Sequence, residues 1–155
     1  MRKFAIAAAA AATAIAVPAQ AQDSAGEGRI EARGGIVWAG GAEEAVAGVA
    51  AGYDFDLADE GGIFLGVEAS ADHILASGAD FVWGVGGRFG FKAGDNGKLY
   101  AAGGYAFGDG EDVPYLGAGY SHKVGEKVYI SGEYRHFFSD FIDVNAVTLG
   151  VGVNF

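Results

Sequence analysis

Six charged residues fall where they could act together: Glu31 with Arg33, Glu68, Arg88, and Glu133 with Arg135. Residues two apart on an extended chain point the same way, so Glu31 and Arg33, and again Glu133 and Arg135, share a face. Opposite charges gathered on one enclosed face would either pass ions or protons through a gate or pair off as internal packing. Packing is the expectation, because buried charges are tolerable when paired and very costly alone. A second group, His136, Ser139 and Asp140, has the residue types of acyl hydrolysis. A nucleophile needs its base within hydrogen-bond reach, which closeness in sequence does not supply, so His136 is expected to be a rim histidine.

The acidic residues Glu43, Glu44, Asp80, Asp109, Glu111, Asp112, Asp140 and Asp143 could offer oxygen ligands to Ca²⁺ or Mg²⁺. The run from Gly108 to Asp112 matches no calcium-loop spacing, and charges of this kind ordinarily solvate a loop. Two glycine-rich stretches, Gly84 to Gly90 and Gly103-Gly104, sit at no strand-to-helix transition, which excludes a phosphate-cradling role. Glycine there is expected to make room for neighbouring side chains. No cofactor and no metal site is expected.

These residues need a scaffold, and the chain begins with instructions for export. Arg2 and Lys3 precede an uncharged run from Phe4 to Val17, followed by Pro18 and Ala19-Gln20-Ala21. That order reads as a secretory signal peptide over residues 1–21, and the run is too short for a spanning helix. Cleavage after Ala21 leaves one domain, residues 22–155, with 8 basic and 20 acidic side chains. So acidic a chain is a poor partner for nucleic acid. With no cysteine in the sequence, disulfides, thiolate metal sites and a cysteine nucleophile are excluded.

From Arg29 onward apolar residues alternate with small or polar ones, the signature of half-buried strands. Eight segments follow: Arg29 to Trp38, about Glu44 to Leu57, Gly62 to Asp72, Asp80 to Lys92, Lys98 to Phe107, Tyr115 to Val124, Lys127 to Phe137, and a last one carrying Val147 to Phe155. Tight turns are expected at Ala58 to Gly61, Ala93 to Gly97 and Gly125-Glu126. Connections of similar or somewhat greater length are expected at Gly40 to Glu43, His73 to Ala79, Gly108 to Asp112 and Phe138 to Asp143. An even number of strands near ten residues each suits an antiparallel up-and-down transmembrane barrel.

The two faces decide between lipid and water. The apolar face is almost free of charge, as a lipid-facing wall must be, while the other is rich in Gly, Ala and Ser, which fit a narrow interior. Glu31, Arg33, Glu68, Arg88, Glu133 and Arg135 all fall on that interior face. If odd strands run outward, Trp38, Tyr105, Phe107 and Tyr134 collect at the outer rim, and Tyr53, Phe55, Phe89, Phe91, Tyr120 and Phe155 at the inner rim. Two aromatic girdles are what a bilayer's interfaces favour.

The stretch Gly132-Glu133-Tyr134-Arg135-His136-Phe137 and the ending Asn145 to Phe155 resemble the last hairpin of the opacity-type, porin-like outer-membrane β-barrel proteins of alphaproteobacteria. The resemblance is strongest over roughly the last 30 residues and is one of pattern elsewhere. It implies residence in the outer membrane of a Gram-negative cell, contact with lipid and lipopolysaccharide, and insertion by the barrel-assembly machinery through the terminal aromatic Phe155. Short outer loops depart from the adhesive members of that family. The expected role is structural, for envelope integrity, in a monomeric, non-enzymatic barrel filled by side chains. The alternatives are a narrow porin-like channel for ions or small solutes and, further off, a lipid-modifying enzyme.

Overall fold

The computed structural model describes residues 26–57, 62–108 and 112–155. The expected signal peptide, the start of the mature domain, the turn from Ala58 to Gly61, and Asp109 and Glu111 lie outside the described residues. Eight strands run in chain order: β1 (Gly26–Ala39), β2 (Ala42–Asp56), β3 (Ile63–Ile74), β4 (Phe81–Ala93), β5 (Gly97–Phe107), β6 (Val113–Lys123), β7 (Val128–Phe137) and β8 (Val144–Asn154). Each pairs antiparallel with its sequence neighbour, and β8 returns to β1, closing the barrel. Closure leaves no open sheet edge, which hydrocarbon would not tolerate.

The stagger of the strands follows from the register. Starting at Glu27, partners run through Asp54, Gly66, Arg88, Ala102, Gly117, Arg135 and Ala146 and arrive back on β1 at Val37. The shear is therefore ten residues (37 − 27), which tilts the strands by about 40°. Side chains far apart in sequence are thereby brought to one height inside.

One turn differs from expectation. The first connection, expected to extend from Gly40 to Glu43, is the two-residue turn Gly40-Gly41, with φ of 56° and 89°. Positive φ at both central residues is the geometry a tight hairpin needs, and glycine takes it without strain. Glu43 consequently belongs to β2 and pairs with Trp38, beside the Glu44–Val37 pair, instead of forming part of the connection.

The outer wall is apolar and open. Leu149 is 70% exposed, and Val49, Phe89, Leu116 and Val151 are exposed beside it. Of the ten Lys and Arg in the sequence, two lie in the opening residues, Lys127 precedes β7, and the other seven have inward parity in the strands. Glu43 is the one Lys, Arg, Asp or Glu in the described strands with outward parity, and it sits at the rim. Rings gather at both ends. Near the chain termini, Tyr53 and Phe55 lie 4.7 Å apart and Tyr120 stacks on His122. At the far rim, Trp38 meets Tyr134 and Phe81 meets both Trp83 and His73.

Phe155 closes the seam. Its backbone exchanges hydrogen bonds with Gly28, 2.8 Å and 3.0 Å. A Cβ on Gly28 would come within 2.7 Å of the Phe155 ring, so the missing side chain makes the shelf on which that ring lies.

Candidate functional site

Seven basic and eight acidic side chains in the described strands have inward parity, and most of them join one chain of ion pairs along the lumen. At the terminal rim Glu27 receives Lys123 at 2.5 Å and Lys98 at 2.7 Å. Lys98 also donates to Asp54 at 2.8 Å, and Asp54 takes both donors of Arg88, Nε at 2.8 Å and Nη2 at 2.5 Å. Arg29 links Asp54, at 3.9 Å, to Glu68. Glu68 also accepts from Arg135 and lies 3.7 Å from Arg33. Arg33 grips Asp72 with two bonds of 2.8 Å and 2.5 Å, while Arg135 donates to Glu133, which accepts the Tyr100 hydroxyl at 2.9 Å.

All six sequence-selected charges are buried in this interior. Arg33, Glu68, Glu133 and Arg135 meet directly, and Arg88 enters through Asp54 and Arg29. Glu31 accepts the Ser131 hydroxyl at 2.7 Å. Sequence reasoning did not bring in Glu27, Arg29, Asp72, Lys98 or Lys123, nor single out Asp54, although the same parity argument was available for each. Their partners lie 34 to 96 residues away in sequence, a placement that only the shear supplies.

Aromatic rings fill the remaining width. Arg88 lies over Tyr100 at 4.7 Å and over Phe64 at 5.4 Å, with Lys98 5.0 Å from the same Phe64 ring. Phe64 is fully buried and packs with Tyr100 and Ala102. Inward glycines make the room. A Cβ on Gly119 would strike the Tyr100 ring at 2.5 Å, one on Gly152 the Tyr129 ring at 2.4 Å, and one on Gly150 the Glu31 carboxylate at 2.5 Å. Large side chains from one strand thus lie flat on the bare backbone of another, as the narrow interior of eight strands demands.

Above this plug the lumen changes character. A cavity of about 290 Å³ occupies the far end. Each strand contributes at least one inward apolar residue to its wall, among them Val37, Val46, Ile74, Val82, Ala106, Val113, Phe137 and Val144. Its floor is Arg33, Arg135, Asp72, Ser70 and Tyr115. Phe107, expected among the rim aromatics, ends β5 at this rim and lines the cavity as well.

His136 lies at the far rim. Its Nδ1 is 2.8 Å from Asn145 Oδ1, its Nε2 is 3.5 Å from Asp143, and its ring packs edge-on against Phe138. Both ring nitrogens are thereby engaged by residues other than Ser139, whose Oγ accepts the Phe141 amide at 3.2 Å. The geometry gives Ser139 no base from His136. Among the described residues no group of three or more His, Asp or Glu is placed to hold a metal ion.

No protein-family model and no curated protein matches the sequence. Solved structures do match. The chain is similar to the N-terminal β-barrel domain of Pseudomonas aeruginosa OprF, with a TM-score of 0.61 and 17% identity over 83% of this chain and 97% of that one. It is also similar to Neisserial surface protein A, with a TM-score of 0.60 and 14% identity over 84% and 96%. Ail, the attachment invasion locus protein of Yersinia pestis, gives 0.60 and 17% over 85% and 99%. The fold is that of the small outer-membrane β-barrels. At these identities the likeness is one of architecture, and the residues inside this barrel must speak for their own role.

Proposed function

We propose that this chain is an outer-membrane β-barrel of a Gram-negative envelope whose role is structural, supporting envelope integrity. The observation that carries the reading is the partition of charge. Seven cations point into the lumen and none of the outward positions in the described strands carries Lys or Arg. A cation on the lipid side at mid-depth costs about 2–4 kcal/mol, so this partition is what a bilayer selects. The lumen beneath the cavity is packed by Phe64, Tyr100 and the ion-pair chain, which favours a filled barrel over the narrow-channel alternative.

The remaining parts of the reading follow from that placement. Export would remove residues 1–21. Odd strands would run outward, leaving the termini at the periplasmic side and the cavity at the extracellular side. Lipid and lipopolysaccharide would solvate the wall, Phe155 would serve the assembly machinery, and the barrel would stand as a monomer. No chemistry is assigned to His136 or Ser139, since the pairing of His136 with Asn145 and Asp143 supports a rim role.

The test is outer-membrane fractionation of expressing cells with gel migration before and after boiling, followed by planar-bilayer recording of the purified barrel. A heat-modifiable band in the outer-membrane fraction and a flat current trace are expected. Discrete channel openings in the unsubstituted protein would overturn the filled-barrel role in favour of the channel.

A further inference from the structure

The interior of a transmembrane barrel is ordinarily polar, and the lower lumen here obeys that rule. The collar at its far end does not. All eight strands switch from polar or small residues to an apolar one at the same height, and they enclose about 290 Å³, close to the lower size of small-molecule pockets. The described apolar wall stands around a floor built from buried donors.

Two of those donors are guanidinium groups. Arg33 and Arg135 are 7% and 6% exposed. Arg135 uses Nε for Glu133 and Nη2 for Glu68, and its Nη1 points toward Gly84, a residue of the cavity wall. Arg33 uses Nε and Nη2 for Asp72, which leaves Nη1 3.7 Å from Glu68. Ser70 adds a hydroxyl group to the same floor, against Gly84. A pocket with an apolar wall and a few convergent polar groups is the ordinary form of a small-molecule site.

We propose that this cup binds a small monocarboxylate with an apolar body, its head on Arg33 and Arg135 and its body within the collar. Asp72, Glu68 and Glu133 engage Nε and Nη2 of these two guanidinium groups, and each keeps an Nη1 that no carboxylate among the described residues takes at hydrogen-bond distance; such donors suit a carboxylate. A cationic head would bring no acceptor to those Nη1 donors, and an uncharged alkane would leave them unused. The carboxylates at the rim sit in water, where screening acts within about 8 Å, while the arginines below are enclosed. The site depends on the barrel's closure and not on its place in the cell, so it can fail while the envelope role stands.

Octanoate is the probe, titrated into the barrel in lipid nanodiscs and followed by the methyl resonances of Val82, Val113 and Val144. Saturable shifts confined to the collar are expected, with octylammonium at least tenfold weaker and acetate without effect. Ala106→Phe, which fills the cup without touching an ion pair, abolishes the shifts; Val82→Gln, which adds little bulk, weakens them. Heat-modifiable migration establishes that each variant is folded. Equal binding of octylammonium, undiminished binding in folded Ala106→Phe, or no saturable shift at all would overturn the proposal.

Discussion

Glu68→Gln is the substitution that asks most of the ion-pair chain. Glu68 accepts from Arg29 and from Arg135 and lies 3.7 Å from Arg33, and all four residues are less than 10% exposed. Glutamine keeps the volume and one acceptor oxygen but removes the charge to which three guanidinium groups converge. Breaking a buried pair from one side costs roughly 3–5 kcal/mol; Arg33 keeps Asp72 and Arg135 keeps Glu133, but Arg29 is left buried with its nearest carboxylate, Asp54, at 3.9 Å. With a urea dependence of about 2 kcal/mol per molar, the unfolding midpoint in lipid vesicles should fall by about 2 M. The control is Asp56→Asn, whose partner Lys92 is 2.9 Å away and 44% exposed; such a pair contributes at most about 1 kcal/mol. Adding Arg29→Met to Glu68→Gln should recover part of the loss, since it removes the cation left without a hydrogen-bonded carboxylate. If Glu68→Gln and Asp56→Asn shift the midpoint equally, the lumen is wet and the reasoning fails.

Leu149→Arg, in the middle of β8 on the open wall, should destabilise the barrel in bilayers by about 2–4 kcal/mol, measured by the same urea titration. Gly104→Ala should cost about 1–3 kcal/mol, because its Cβ would stand 2.3 Å from the Val85 carbonyl oxygen and only backbone movement can relieve that. Gly132→Ala, with its nearest neighbour 3.5 Å away, should be tolerated within about 0.5 kcal/mol. Phe155→Ala should leave the stability of the refolded barrel within about 1–2 kcal/mol, as the ring is 60% exposed, while lowering the heat-modifiable fraction recovered from cells.

Alternation made the wall legible, because each strand repeats one decision every second residue and a one-residue error would turn every side chain over. That is why Ile63, Leu65 and Val67 could be assigned outward from sequence, and Glu68 inward. Phe64 escaped notice for the same reason: an apolar residue with inward parity carries no mark in the pattern, yet it is fully buried against Arg88 and Lys98. Which charge meets which depends on the ten-residue shear and on glycine shelves such as Gly119 and Gly152, quantities of the closed barrel and not of any segment. The collar was hidden likewise. Val37, Val82 and Val144 are isolated valines in sequence and become a ring only when the strands are staggered. The first hairpin turn is shorter than the expected Gly40 to Glu43 connection because two positive-φ glycines close it at once.

The central claim, that the odd-numbered face of β8 lies in acyl chains, is open to one direct measurement. The chain has no cysteine, so single cysteines carrying a nitroxide can be placed in turn at Val147, Leu149, Val151 and Val153 in the barrel reconstituted in vesicles. Oxygen, which concentrates in hydrocarbon, should relax these labels strongly, and a water-soluble nickel chelate should be excluded from them. Strong relaxation of the odd positions by the nickel chelate would put that face in water and contradict the account.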